Sequence, residues 1–274
     1  MTSSGPASDV RLRRLTWAGV EMIAGNTRVL IDPLENVTPL AGFLGAPRHP
    51  LARIEECPTL ETHALVTHLH PDHCDRELLT RIARNGTIGC HAPIVDALAG
   101  DGVAATPLRL GEPHRLGPFT ATAVVSLDWR GDDQVAWILE ADGVRVIHCG
   151  DTIWHGSWWK IAREHGPFHV AFLPINGVLT QLEGFTPTSV PATLTPEQAV
   201  EAAVVLNAST ACAIHHGLFH NPPAYAEQPN ARERFLQAGH ARGIHASAPH
   251  DGMLLATAAP LTNTPTDPRA QPSR

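Results

Sequence analysis

The chain has 274 residues, 43% of them hydrophobic and 17% charged, which is enough apolar material to bury a sizeable core without disulfide staples. Its 27 acidic side chains outnumber 20 Lys and Arg, giving a formal net charge of −7; this opposes the concentrated basic surface that a nucleic-acid backbone requires. Cysteines at 57, 74, 90, 149 and 212 are odd in number and lack zinc-ribbon spacing, so a disulfide framework is not expected and a reducing cytoplasm is.

Residues 1–9 are small and polar, lack a basic-then-apolar leader pattern, and are expected to be disordered. β-Like runs follow at 12–17, 28–32 and 63–67, then helix-like stretches at 76–84 and 92–98. Three more β-like runs occupy 119–126, 134–140 and 143–148. Beyond them a helix-like stretch at 157–165, a strand at 168–173, a helix at 196–206, a strand at 210–214, a helix at 230–239 and a strand at 253–257 complete the pattern. This interleaving predicts an α/β or α+β class in one domain over 10–259, followed by a disordered Pro/Thr-rich tail over 260–274. Thr195-Pro196-Glu197-Gln198 predicts a helix start, with Thr195 as N-cap, proline at the first helical position and Gln198 closing a capping box. Residues 33–60 and 177–195 are long Gly/Pro-punctuated connections, read as walls or lids over an active site or else as surface excursions or an oligomer contact. No apolar stretch reaches membrane-span length, so no membrane partner is expected.

The chemistry concentrates in Thr67-His68-Leu69-His70-Pro71-Asp72-His73-Cys74-Asp75, directly after the apolar run Ala64-Leu65-Val66. Imidazole and carboxylate are common ligands for zinc and for harder first-row ions, and residues two apart in an extended segment project to one side. His68 and His70 are thereby placed to hold one ion, with Asp72 and His73 reaching a second at the turn into the next helix. The plainer reading is a polar loop in a chain with 17 histidines.

This motif, with Gly150-Asp151-Thr152 after Val144-Arg145-Val146-Ile147 and with Ala213-Ile214-His215, resembles the metallo-β-lactamase-fold hydrolases over residues 12–256. Leu173-Pro174-Ile175-Asn176-Gly177 looks most like the branch containing ascorbate-6-phosphate lactonase and related metal-dependent hydrolases. The resemblance implies a four-layer αββα sandwich of two mixed sheets with the metal site at one edge. It implies two divalent ions, zinc first with manganese or iron as alternatives. It further assigns His68 and His70 to the first ion, Asp72, His73 and His215 to the second, and Asp151 as the bridge. An acidic residue that supports the site is matched by Asp32, although an ordinary strand-ending Asp before Pro33 explains it nearly as well.

The family supplies one more histidine to the first ion, and Asp128 of Val124-Val125-Ser126-Leu127-Asp128 stands in its place. As a ligand, Asp128 would raise the carboxylates to three, weaken attraction for anionic groups such as phosphate and favour manganese or iron at that position. As a turn cap over Trp129-Arg130-Gly131-Asp132 it would leave the first position weak. Asp72 is expected to help orient the nucleophile and Asp151 to bridge the ions, both counted as catalytic. His216, His220 and Tyr225 are candidates to hydrogen-bond substrate or protonate a leaving group, and His216 is taken as the third catalytic residue. Trp154, His155, Trp158 and Trp159 suit either core packing or a substrate pocket. His63, His148, Cys74 and Cys149 are read as scaffold, with His148 as a reserve ligand.

The expected activity is hydrolysis of a small-molecule ester, lactone or amide by a metal-bound hydroxide. One rival is a mononuclear iron oxygenase of the same fold acting on a sulfur substrate. Another is a non-catalytic, metal-stabilised binding protein. A homo-oligomer formed through the 33–60 excursion is also considered.

Overall fold

The computed structural model describes residues 10–255; the expected disordered segments 1–9 and 260–274 and the end of the strand expected at 253–257 lie outside them. The N-terminal half contains β1 (Arg11–Arg14), β2 (Val20–Ala24), β3 (Thr27–Ile31), α1 (Ala41–Leu44), β4 (Glu61–Val66), α2 (Arg76–Ile82), β5 (Ile88–His91), α3 (Val95–Gly100), β6 (Thr106–Leu108), β7 (Pro113–Leu116) and β8 (Phe119–Val125). The chain continues through β9 (Val135–Ala141), β10 (Val144–His148), α4 (Trp158–His165), β11 (Phe168–Pro174), β12 (Leu179–Thr180), α5 (Pro196–Val205), β13 (Ala208–Ile214), β14 (Tyr225–Ala226), α6 (Ala231–Arg242), β15 (His245–Ser247) and β16 (Leu254–Leu255).

Two mixed sheets result, in the orders β16-β1-β2-β3-β4-β5-β6 and β15-β13-β11-β10-β9-β8-β7, with β12 and β14 as a separate ribbon. Alternation along the strands decides the layers. Leu12, Met22, Val29 and Ile31 of the first sheet meet Phe119, Ala121, Trp137, Val146 and Phe172 of the second in one shared core. The outward face of the second sheet packs Ile147, Ala171 and Ala213 against Trp158, Ile161, Ala199 and Phe235 of α4, α5 and α6. The outward face of the first packs Ala64, Val66 and Cys90 against Leu78, Leu79 and Leu98 of α2 and α3. The four-layer αββα sandwich implied by the resemblance is the architecture observed.

Parallel pairing positions the site. β3, β4, β5 and β6 run parallel in one sheet, as do β10, β11, β13 and β15 in the other. Ile31 pairs with Leu65, so Asp32 is delivered beside the start of the His-rich motif, and its N–H is taken up by the Leu65 carbonyl at 3.0 Å. Asp151 follows β10, Asn176 follows β11 and His215 follows β13, which places the polar groups beyond the carboxyl ends of parallel strands, where open α/β sheets present their binding crevices.

Most expected elements are present within a few residues of their anticipated ends. Unanticipated are β2, the short strands β5, β6, β7, β12, β14 and β15, and the helical turn α1 inside the 33–60 connection. The Thr195 capping box forms as read: its hydroxyl accepts from the Gln198 N–H at 3.3 Å and the Gln198 side chain accepts from the Thr195 N–H at 3.0 Å. Thr195→Ala is expected to cost about 1 kcal/mol, lowering the urea midpoint without changing the denaturant slope.

Candidate metal centre

The site begins with a carboxylate that no solvent reaches. Asp32 is fully buried and sits at φ +46°, a left-handed conformation uncommon for a side-chain-bearing residue. Its Oδ1 accepts from the Thr67 N–H at 2.8 Å, and its Oδ2 accepts from the Thr67 hydroxyl at 2.6 Å and from His73 Nδ1 at 2.8 Å. Burial pushes the Asp32 carboxyl up. The hydrogen bond and charge of His73, with the charges of His148 and His68, outweigh that and hold it below the ordinary carboxylate range. With its proton committed to Asp32, the Thr67 hydroxyl accepts from His68 Nδ1 at 2.9 Å. One carboxylate thus fixes the tautomer of two imidazoles, directly for His73 and through Thr67 for His68, and turns both Nε2 atoms the other way.

Those nitrogens face a cluster in which four imidazoles crowd together: ring centres are 4.4 Å apart for His68 and His70, 4.3 Å for His68 and His73, and 5.0 Å for His73 and His215. Within it, His68, His70 and Asp151 each offer a ligand atom, all within 4.8 Å of one another, and so do Asp72, His73 and His215. His68 Nε2 stands 3.6 Å from Asp151 Oδ1 and His70 Nδ1 3.8 Å from Asp151 Oδ2. Asp72 Oδ2 stands 3.4 Å from His215 Nε2 and 3.7 Å from His73 Nε2. These separations are long for hydrogen bonds. They match ligand atoms sharing one ion, since tetrahedral donors at about 2.0–2.2 Å from a cation lie more than 3 Å from each other.

The donor set fits divalent ions on a further observation. His68 Nε2, His73 Nε2, His215 Nε2, Asp151 Oδ1 and Asp128 Oδ2 are buried and have no hydrogen-bond partner. Five such orphans in one spot would each cost stability unless a cation takes them up. Burial raises the Asp151 carboxyl, but the charges of His68, His73 and His70 hold it well below its usual range, so Asp151 feels both groups of imidazoles.

Asp128 divides its two oxygens. Oδ1 caps the following turn, accepting from the N–H of Arg130 at 2.7 Å and of Asp132 at 3.4 Å, while Oδ2 is the orphan named above. Burial and the nearby Asp151 charge raise its carboxyl. Its ligand oxygen groups with His70 and Asp132, alongside the His68–His70–Asp151 set. His70 Nε2 lies 2.9 Å from Asp132 Oδ2 and 2.5 Å from Arg130 Nη2, and Arg130 also pairs with Asp132. A proton on Nε2 is given to Asp132, leaving Nδ1 for the centre.

Over these groups lies a cavity of about 270 Å3. Its walls show what the two long connections do: Leu40, Phe43 and Leu44 come from 33–60, and Val178, Thr180, Leu182, Ala192 and Thr193 from 177–195. Both therefore wall the site, as the sequence suggested. Tyr225 lines it too, its hydroxyl accepting from Asn176 Nδ2 at 2.8 Å, and Phe43 sits edge-on to its ring at 5.6 Å. Burial first, then the Asp72 and Asp151 charges, raises the Tyr225 hydroxyl well above its ordinary value, so it stays a proton donor.

The expectation for His216 needs correction. Successive residues after β13 diverge: His215, at φ +55°, turns toward Asp72, while His216 lines a separate cavity with Arg14, Arg48, His220 and Arg232 and is absent from the walls of the metal-side cavity. His148 is no reserve ligand, since Nε2 donates to the Ala18 carbonyl at 2.7 Å and Nδ1 accepts from the Gly150 N–H at 3.3 Å. Trp158 is core, with His155 stacked on it at 4.2 Å. Sequence reasoning missed Trp17, whose indole N–H donates to Asp72 Oδ2 at 3.0 Å and whose ring lies 4.0 Å from that of His215. It also missed Arg130 and Asp132 as supports of His70, for which Gly131 between them gives only a turn signal.

Residues 27–216 match the family model of the beta-lactamase superfamily domain. A UPF0173 metal-dependent hydrolase of Enterococcus faecalis is 29% identical over 217 residues, covering 74% of this chain and 85% of its own. Among solved structures, Igni18, a metallo hydrolase from Ignicoccus hospitalis, superposes with TM-score 0.67 at 20% identity, covering 90% of this chain and 97% of its own. CmlA, a diiron β-hydroxylase from Streptomyces venezuelae, superposes with TM-score 0.66 at 17% identity, covering 92% of this chain and 55% of its own.

If Asp32 orients the two imidazoles as described, Asp32→Asn should lower the affinity for added zinc or manganese by about 10–100-fold. Competition against a chromophoric chelator measures this, and an unchanged affinity would remove Asp32 from the account.

Proposed function

The chain belongs to the beta-lactamase superfamily as a metal-dependent hydrolase, and we propose that it cleaves the carbonyl carbon–oxygen or carbon–nitrogen bond of a small ester, lactone or amide. The observation that carries this reading is the cluster of orphaned donor atoms at the floor of a largely apolar cavity. We assign His68, His70, Asp151 and Asp128 as the residues that would hold one divalent ion and Asp72, His73 and His215 as those that would hold a second. Bound there, such ions supply Lewis acidity and a water acidic enough to attack near neutral pH.

The chain's own groups do the rest. Asp72 holds one carboxylate oxygen on the Trp17 indole, which leaves the other to orient the attacking water and take its proton. Tyr225, already accepting from Asn176, has its own O–H free to donate to the substrate carbonyl oxygen as negative charge builds there. A carbon–oxygen bond forms to the water, the bond to the leaving oxygen or nitrogen breaks, and the proton held by Asp72 passes to the departing atom. Three carboxylates in the centre, with Arg130 already paired to Asp132, leave little positive charge for a phosphate group, which supports carbonyl substrates over phosphate esters.

The orphaned Asp128 oxygen also favours a second reading, in which iron occupies the centre and the reaction is an oxidation; CmlA, of similar fold, is itself a diiron β-hydroxylase. Oxygen consumption by iron-loaded protein, with no ester cleavage by zinc- or manganese-loaded protein, would select that reading.

Three outcomes test the hydrolytic proposal. His70→Ala should lower bound metal in elemental analysis and abolish ester hydrolysis; retention of full activity without metal defeats it. Tyr225→Phe should keep its metal and lose about 10²-fold in kcat. Asp128→His should shift selectivity toward zinc over manganese in competition titrations, since imidazole replaces a harder oxygen.

A further inference from the structure

We propose that the metal-side cavity holds only the reacting end of the substrate. The adjoining cavity walled by Trp129, Ile153, Trp154, Val190, Pro191 and Thr193 is then a subsite for an apolar acyl or aryl extension of the same molecule. The proposal rests on the hydrolytic reading and adds the shape of the substrate. Size is the first argument. At about 270 Å3 the metal-side cavity falls short of the ~300–1,000 Å3 in which proteins enclose whole small ligands, and the neighbouring cavity adds about 430 Å3.

Adjacency is the second. Trp129 and Thr193 line both cavities, so the two abut across one wall, and the 177–195 connection contributes to each. That connection is pinned where they meet: Phe185 lies 5.7 Å from the Trp129 ring, and the Arg130 guanidinium lies 5.9 Å from the Trp129 ring and 5.7 Å from that of Phe185.

Chemistry is the third. The second cavity has no charged residue in its lining. Of its polar members, the Thr188 hydroxyl accepts from the Val190 N–H, the Gln198 Oε1 from the Thr195 N–H, and the Thr193 hydroxyl donates to Asn176 Oδ1. An ionic group would find no side chain of opposite charge there, whereas Trp154, 36% exposed, and Val190, 69% exposed, leave large apolar faces open. Trp154 is braced by Trp158 at 6.2 Å and Trp159 at 5.9 Å between ring centres, so its face is presented without first having to be ordered.

The test compares acetyl, octanoyl and phenylacetyl esters of one chromogenic alcohol on the metal-loaded protein. The natural chain should show kcat/KM rising about 10-fold or more from acetyl to the longer acids. Trp154→Ala and Val190→Asp, the second on a largely exposed residue, should each erase that rise while leaving acetyl-ester turnover and metal content unchanged. Equilibrium binding of uncharged octanamide against acetamide provides a readout independent of turnover, with the same loss expected in both variants. If esters are cleaved but both variants keep the preference for long acids, the subsite is refuted. If no ester is cleaved yet octanamide binding depends on Trp154, the subsite stands and the hydrolytic reading fails. A change in oligomeric state on substitution, with chain-length preference intact, would assign this face to a second copy of the chain and overturn the proposal.

Discussion

The centre depends on a single buried carboxylate. Asp32 has no solvent exposure, yet it is held ionised because three donors converge on it from the other side of the β3–β4 pairing. Such a group is costly to bury and tolerable only when fully paired. The Ile31–Leu65 register supplies the pairing by setting Asp32 beside Thr67. A one-residue slip of that register would turn every side chain of the strand to the opposite face and separate Asp32 from His73. Sheet pairing, tautomer control and ligand orientation are therefore one constraint seen at three scales.

His70 belongs to a different support. Asp132, in the turn after β8, accepts from its outer nitrogen, Arg130 pairs with Asp132, and the same Arg130 lies over Trp129 and Phe185. The long 177–195 connection thus reaches the metal centre through three contacts, Phe185 to Arg130, Arg130 to Asp132 and Asp132 to His70. His68 and His73 are locked by an interior carboxylate, while His70 is held by Asp132, half open to solvent.

Of the proposed ligands, His68, His70, Asp72 and His73 were readable in the sequence because they fall within one short motif, whereas Asp151, beyond β10, and His215, beyond β13, were assigned only through the family resemblance. The α/β character was readable because the runs of β8 to β11 and β13 are seven or five residues long and largely apolar, whereas the αββα layering came only with the family resemblance. Strands of two to four residues, such as β6, β12 and β15, carry too few alternations to register as a period. Trp17 was hidden because its role is created by a left-handed turn at φ +62° and a hydrogen bond to a residue 55 positions away. His216 misled because adjacency in sequence suggested a shared site. At the end of an extended strand neighbouring side chains point to opposite sides, and the left-handed His215 deepens the separation.

The chemistry that such a site can favour follows from placing a carboxylate-rich floor under an apolar roof. Asp72, Asp128 and Asp151 concentrate negative charge that only cations can offset, whereas Leu40, Phe43, Leu44, Val178 and Leu182 offer nothing to an ion. A substrate of the proposed kind, neutral on entering and gathering charge only at its reacting carbonyl, would meet both demands. Its body would replace water against the aliphatic walls, and the charge developing on its oxygen would appear beside Tyr225, whose raised hydroxyl keeps its proton. An anionic substrate would pay to desolvate its charge before reaching a centre with little positive excess. On the hydrolytic proposal, the apolar walls built from the two long connections would select for neutrality as much as for size.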